Sequence, residues 1–598
     1  VIAEVYFQYP SPPVLPKLTA TPGDGKVVLS WDDAALVETR EPFNGNVNDF
    51  EGYKLYRSKT IDMADVVLVE GAWSKPYMRQ PLFQCDRIDG KKDYTYYGIE
   101  EGLGYYLGND TRIKNYFVDS TVSNGVTYFY VLTAYDYGIP DVGKGFAPLE
   151  NDYSYETDAD GNITSLSKNA VMAIPHPAST NYISPKAEAS AKNTVGTTDV
   201  EIEILDPSKV KAGHTYKIKF LVDSISNLRA TQQIRHKNDI LYTNKGFVIY
   251  DMNRNDSLVY MESPQSFSDN NILSNVHIIA GNIFREYRYL NPAGIQSNIF
   301  NGIRIRFNNL PKVFAAFDSS HSGWLFGNAA IGITVNPAES VYFPWQYDLI
   351  FHDEAYIFKS RTSEKKYIRS ADGQPLVSTS LLLGQSFNFE VVNKSFADKD
   401  GNYEQLDLIV HDVNRNGMFD PDSDYVLAGH AVDYNGRIYW AGTVFGIDFH
   451  SIHFMDKMPA SGDVYRVDFQ RPFVETDSVI FTVSQGQIND SQYAKVELSD
   501  IAVVPNPYLI TNEMETSGEK FLKKLMFTHL PSQCTISIFT ISGAFVHEIA
   551  VNNPLDNGTI FWDLKSSRGQ DVAPGYYIYH VKSTISGSEK TGKFAILR

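Results

Sequence analysis

Short runs of alternating apolar and polar residues, each closed by turn residues, recur from one end of the chain to the other. Val200-Glu201-Ile202-Glu203-Ile204-Leu205, Tyr216-Lys217-Ile218-Lys219-Phe220 and Ile303-Arg304-Ile305-Arg306-Phe307 repeat with period two. So do Phe387-Asn388-Phe389-Glu390-Val391 and Val464-Tyr465-Arg466-Val467-Asp468-Phe469. In an extended chain, successive side chains point to opposite faces, so such a run buries one face and wets the other. Near the C-terminus Ile536, Ile538 and Phe539 lead to Ser542-Gly543, Phe545, Val546 and Ile549 to Asn557-Gly558, and Tyr577, Tyr579 and Val581 to Ser586-Gly587. Strands of this length between turn signals predict a small antiparallel sandwich. No convincing helix of more than a few turns interrupts the pattern. The expected fold class is therefore all-β: tandem β-sandwich domains with a large β-sandwich middle region.

A chain of 598 residues exceeds what one core supports. Residues 1–13 read as a strand, Val1–Tyr9, followed by a stiff connector, Pro10-Ser11-Pro12-Pro13, with Pro16 just beyond. Three placements for that strand stay open: along its own neighbour, in the sheet edge of another molecule, or in an upstream domain. Val1 in place of Met reads as the start of a processed or trimmed chain. Residues 14–184 form one domain, 185–500 one large or two smaller sandwiches without an internal repeat, and 501–598 a last small domain.

Two of these domains resemble known families. Residues 14–184 resemble a fibronectin type III domain through Leu18–Gly23, Gly25–Trp31, Phe50–Ser58 and Asn124–Asp136. That resemblance implies Trp31 at the centre of a sandwich. Alternation puts Tyr128, Tyr130 and Leu132 on one face of a strand and Phe129, Val131 and Thr133 on the other. Lys59–Lys114 is longer than the family allows between strands and reads as an insertion, and Gly138–Pro177 as a loop-rich extension. Residues 501–598 are similar to the Ig-like C-terminal sorting domain of type IX secretion cargo from Bacteroidota-like bacteria. The matching pieces are Pro505-Asn506-Pro507, a strand–Ser542-Gly543–strand hairpin, Trp562-Asp563, Ala573-Pro574-Gly575-Tyr576-Tyr577 and the closing Lys590–Arg598 strand. This resemblance implies an address, export to the cell surface or the extracellular space, and no chemistry. In the family the domain is usually removed after export, so its presence here puts standard processing in doubt.

Charge narrows the partners. Lys and Arg number 53 against 71 Asp and Glu, a net charge of -18, which opposes nucleic-acid binding because no basic surface is left to neutralise phosphates. The 38 Tyr and 35 Phe favour strands, and Tyr-rich outer faces suit binding or assembly. Cys85 and Cys534 lie in different domains and read as buried thiols, not as a disulfide framework. No apolar run approaches the eighteen or so residues of a transmembrane segment.

The best site candidate is His411-Asp412-Val413-Asn414-Arg415-Asn416-Gly417-Met418-Phe419-Asp420-Pro421-Asp422-Ser423-Asp424. Oxygen side chains at Asp412, Asn414 and Asn416, with Gly417 next, make the compact turn that wraps a hard cation. The Met418 carbonyl, Asp420 and Asp424 can complete the shell. The loop resembles a dockerin- or EF-hand-type Ca²⁺ loop, except that Ser423 stands where the family has its closing acid. The expected cofactor is Ca²⁺, and an Asx-rich turn without metal is the competing reading. Weaker echoes at Asp251–Asp256, Asp158–Asn162 and Asp398–Asn402 read as hairpin turns. Asp448, His450 and His453 do not share one strand face, which argues against a transition-metal site. Asp223-Ser224-Ile225, Asp256-Ser257-Leu258 and Asp477-Ser478-Val479 match a short glycosylation pattern that also arises by chance.

No nucleophile elbow, phosphate loop, H-E-x-x-H or C-x-x-C motif occurs. The expected function is accordingly non-enzymatic: an exported structural or adhesive surface protein, a homo-oligomer or a partner of other surface proteins, and a filament or sheath subunit if strand edges pair. The alternatives are a secreted enzyme of polysaccharide or protein breakdown, and a carbohydrate-binding accessory that recognises glycans through Trp324, Trp345 or Trp440.

Overall fold

The computed structural model describes residues 9–66, 68–70, 76–97, 104–159, 161–180, 182–226, 240–262, 273–279, 282–287, 295–308, 316–335, 345–368, 375–377, 380–451, 458–488, 498–515 and 523–597. Strands dominate, as the alternating pattern requires. Helix among the described residues amounts to Ala34–Glu38 and three-residue 3-10 turns at Pro42–Asn44, Pro207–Lys209 and Met252–Arg254.

The first sandwich packs a three-stranded sheet on a four-stranded one. Leu18–Gly23, Lys26–Trp31 and Tyr116–Asp119 form the first; Ala170–Ala173, Tyr128–Asp136, Phe50–Ser58 and Phe83–Asp86 form the second, in that order. Trp31, Tyr53, Leu55, Tyr130 and Leu132 fill the space between them. Tyr128, Tyr130 and Leu132 share that inner face, while Phe129 and Val131 lie in a second cluster with Tyr56, Met63 and Ala170. All nine residues of Tyr128–Asp136 are buried. The outer face is dry because Ile61, Met63 and Val66 of the insertion, and Tyr153, Ile163 and Leu166 of the extension, cover it. The insertion also donates the edge strand Phe83–Asp86, and the extension the opposite edge, Ala170–Ala173.

The Pro-rich connector is fastened to this sandwich. Pro13 and Pro16 are buried, the Ser11 amide donates to Glu41 (2.9 Å), the Val14 amide to Thr39 Oγ1 (3.0 Å), and Asn151 Nδ2 to the Pro13 carbonyl (2.6 Å). The Val1–Tyr9 strand, apart from Tyr9, lies outside the described residues.

Among its described residues the middle region builds two sandwiches, one inserted in the other. A five-stranded sheet (Ala187–Asn193, Ser478–Val483, Thr215–Ser226, Ile240–Asp251, Ser257–Glu262) faces a three-stranded one (Asp199–Ile204, Ile303–Asn308, Ile295–Gln296). Tyr216, Ile218, Phe247, Ile305, Phe307 and Phe481 are buried between them. The chain leaves this sandwich after Asn308 and returns at Ser478. In between it builds a five-stranded sheet around Tyr347–Phe351 and a seven-stranded one around Tyr425–Tyr434 and Arg437–Asp448, enclosing Trp345, Leu349, Val391, Leu408, Phe445 and Ile447. The departing Ala316–Phe317 and returning Phe469–Gln470 pair with each other and form a two-stranded neck.

The C-terminal sandwich sets Ala502–Val504, Leu525–Thr528 and Ile560–Trp562 against Phe545–Asn552, Gln533–Thr540, Gly575–Ser583 and Glu589–Ile596. Tyr508, which follows the Pro505-Asn506-Pro507 segment, is fully buried, and its amide donates to the Ala595 carbonyl (2.8 Å).

The sandwiches are packed on one another. Asn115 of the first exchanges hydrogen bonds with Asn298 and Ile299 of the second, Arg112 pairs with Glu262, and Arg304 bonds Glu203 and the Tyr116 hydroxyl.

Candidate functional site

The Asp412–Asp424 loop joins two adjacent antiparallel strands, Asp407–His411 and Tyr425–Tyr434, with His411 paired to Tyr425 across the ladder. Pairing at the base brings Asp412 and Asp424 together, and both are buried, at 2% and 0% exposure. Arg415 and Gly417 adopt left-handed conformations (φ 60° and 83°), which curls the intervening backbone inward. Its amides then converge on two carboxylates. Asp412 accepts from the amides of Asn416 (3.2 Å) and Gly417 (2.9 Å), and Asp424 from those of Val413 (2.9 Å) and Asp420 (2.8 Å). Asn414 Nδ2 reaches Ser423 Oγ at 3.0 Å and Asp420 Oδ2 at 3.5 Å, and Asn416 Oδ1 accepts the Met418 amide at 2.8 Å. Burial lowers the His411 pKa, against the attraction of Asp424 and Asp412.

The donors of this loop suit calcium in kind: hard oxygens from Asp412, Asn414, Asn416, Asp420 and Asp424, and a carbonyl at Met418. Among the described residues no three His, Cys, Asp or Glu side chains are grouped as a metal cluster. In the loop, the Asp412 and Asp424 carboxylates are instead held by backbone amides.

The weaker echoes are turns held by single Asp side chains. Asp251 accepts from the Asn253 amide (3.1 Å) and pairs with His214 (2.8 Å). Asp158 and Asp398 each accept the amide four residues on, at 2.8 Å. His450 turns back on Asp448 (3.1 Å) and lies 5.0 Å from the Tyr425 ring, while His453 is outside the described residues. Trp345 and Trp440 are 1% exposed and belong to cores, and half-buried Trp324 donates its indole N–H to the Ala329 carbonyl at 2.8 Å. These placements disfavour the three Trp as sugar-stacking platforms. Asp477 is also interior, accepting the amides of Val195, Gly196 and Val474. Cys85 and Cys534 are buried free thiols, each pushed up to about 12 by burial.

Sequence reading missed two charge clusters on the Phe50–Ser58 strand. Glu150 accepts from Lys54 (3.2 Å), Tyr56 (2.8 Å), Tyr105 (2.8 Å) and Thr133 (2.5 Å), and Lys54 sits 3.9 Å from the centroid of the Tyr105 ring. Burial pushes the Glu150 carboxyl up, but Lys54 and the three hydroxyls outweigh it and hold it below its usual range; burial lowers Lys54. With Lys54 and three hydroxyls on one carboxylate, the network serves cohesion. Glu51 is fully buried and neither carboxylate oxygen has a hydrogen-bond partner; burial, with Asp89 and Asp86 near, pushes it up to about 9. The available signal was a Glu and a Lys among the apolar positions of that strand, where neither is usually buried without a partner.

The described residues form a multi-sandwich all-β fold. No family model matches the chain, and no curated protein matches it. Among solved structures it is similar to PorZ, titled an essential bacterial surface component of the type-IX secretion system of Porphyromonas gingivalis. That likeness has 10% identity and covers 97% of this chain and 80% of that one, with a TM-score of 0.16. Dimeric latent PorU from the same organism has 12% identity, 77% and 40% coverage and a TM-score of 0.13. The flagellar hook junction protein FlgK from Burkholderia pseudomallei has 10% identity, 48% and 41% coverage and a TM-score of 0.11. At these scores no role passes from those proteins to this chain.

Proposed function

We propose that this chain is an exported cell-surface or extracellular protein with a structural or adhesive role and no catalytic one. The observation that carries the reading is the C-terminal sandwich. The residues that give it its sorting-type resemblance are the ones that build it: Tyr508 locks the entry segment to the last strand, Trp562 fills the core, and Tyr577 packs on Phe594. Strands on both sides of the sequence, a net charge of -18 and the lack of catalytic motifs support the same reading.

Assembly in this proposal uses strand addition. The Val1–Tyr9 segment of one copy pairs with an open sheet edge of the next, where backbone hydrogen bonds supply affinity and alternate side chains set register. Ala187–Asn193 is a suitable acceptor: it is the outermost strand of its sheet and most of its side chains are exposed. A head-to-tail contact of that kind does not close on itself and yields fibres. The loop at Asp412–Asp424 takes Ca²⁺ in this reading and stiffens the inserted sandwich.

Sedimentation and negative-stain microscopy of the purified chain with and without residues 1–9 test the assembly. The full chain forms polymers, and the shortened one stays a folded monomer. Polymers that persist without residues 1–9 would remove strand addition by this segment.

A further inference from the structure

In the C-terminal sandwich one strand, Leu525–Thr528, is buried on both faces. Within Leu525–Thr528, Leu525 and Phe527 point into the sandwich's own core, and so does Trp562 of the neighbouring strand. Alternation puts Met526 and Phe561, which are cross-strand partners, on the outer face of that sheet. In a free-standing sandwich that face would meet water. Instead Met526 is 2% exposed, Met514 is 4% exposed, and both belong with Phe561 to the core of the N-terminal sandwich.

The opposing surface is shaped to receive them. Gly125 stands at φ 83°, and a Cβ there would lie 2.5 Å from Met514 Sδ and 3.0 Å from Met526 Sδ. Next to it, the segment leaving the N-terminal sandwich binds the C-terminal one through main-chain groups. The Ser179 amide donates to the Leu555 carbonyl (3.0 Å), the Thr180 amide to Leu530 (3.1 Å), and the Gly558 amide to Pro177 (2.8 Å). A Cβ on Gly558 would come within 2.5 Å of the Ala178 carbonyl oxygen, so the two backbones touch. An apolar centre flanked by paired main-chain groups is the anatomy of a lasting interface.

We infer that the C-terminal domain is a permanent partner of the N-terminal domain, docked through the Met526–Phe561 face, and not a detachable tag. Cutting the chain between them leaves the pieces together, because separation would wet Met514, Met526 and Phe561 and unpair the amides of Ser179 and Thr180.

The test inserts a site-specific protease sequence between Asp490 and Ser491 of the full chain, cuts it, and follows both pieces by size-exclusion chromatography without denaturant at micromolar concentration. The pieces are expected to co-elute. Met526→Asp and Phe561→Asp, which face away from the C-terminal core, should abolish co-elution while the released piece keeps its β-sheet circular dichroism. Gly125→Val, which leaves the C-terminal sequence untouched, should weaken it as well. Unsubstituted pieces that elute apart, each folded, would overturn the inference. So would co-elution unaffected by the two Asp substitutions.

Discussion

Glu51 is the residue on which the N-terminal sandwich is most exposed to pH. Burial pushes its carboxyl up to about 9, that of Asp136 to about 7 and that of Asp49 to about 6. In the unfolded chain all three titrate near about 4. Between those values these groups keep protons in the folded protein that the unfolded chain has lost, so their contribution to stability is fully present below about pH 4 and is lost as pH rises toward about 9. Hydrogen exchange of the Phe50–Ser58 strand across that range should show the decline. Glu51→Gln, which has no proton to keep, should flatten it and add on the order of a few kcal/mol at pH 8 by removing that linkage. An unchanged slope would exclude Glu51 as its source. The neighbouring pair behaves differently. Lys54→Met leaves the Glu150 carboxylate buried without its cation and should cost about 3–5 kcal/mol, while Lys54→Met with Glu150→Gln, which removes the charge but keeps an acceptor for the hydroxyls, should recover part of it. Thermal unfolding of the two variants compares them directly. Position-by-position patterning announces that a strand exists, but not that an ionisable side chain on it has lost its solvent, because the covering residues, Tyr105 and Glu150 among them, come from later elements of the chain.

At the scale of elements, period-two alternation identified the strands Tyr216–Phe220, Ile303–Phe307 and Val464–Val467, and these lie in the sheets with one face on a core. The pattern is silent where both faces are dry. Tyr128–Asp136 is covered by the insertion and extension, and Leu525-Met526-Phe527 is covered by a neighbouring domain; in each, consecutive apolar residues replace the alternation. Such runs say only that something lies on each side. The Asp412–Asp424 loop was legible as a turn with oxygen side chains in order, since Gly417 and the alternating Asp and Asn positions set its curl. Limited proteolysis with calcium and with a chelator should show cleavage within residues 412–424 suppressed by calcium, and Asp412→Ala should abolish the protection. Equal cleavage in both conditions would leave an amide-filled turn.

For the molecule as a whole, the sequence suggested a row of domains, and the structure gathers them into a packed body. The long middle region showed no linker because one of its sandwiches is inserted between strands of the other, through the paired neck at Ala316–Phe317 and Phe469–Gln470. An insertion leaves no composition shift to detect, since both of its boundaries are strands. The contacts between first and last sandwiches were equally hidden, being made by Met and Phe positions that look like ordinary core residues. In the proposed role this packed body stands outside the cell and joins copies of itself or other surface proteins. Immunogold electron microscopy of intact producing cells tests that claim most directly. The account predicts label on the unopened cell exterior, arrayed along filaments or a sheath. Label found only after lysis, in the cytosol, would contradict it.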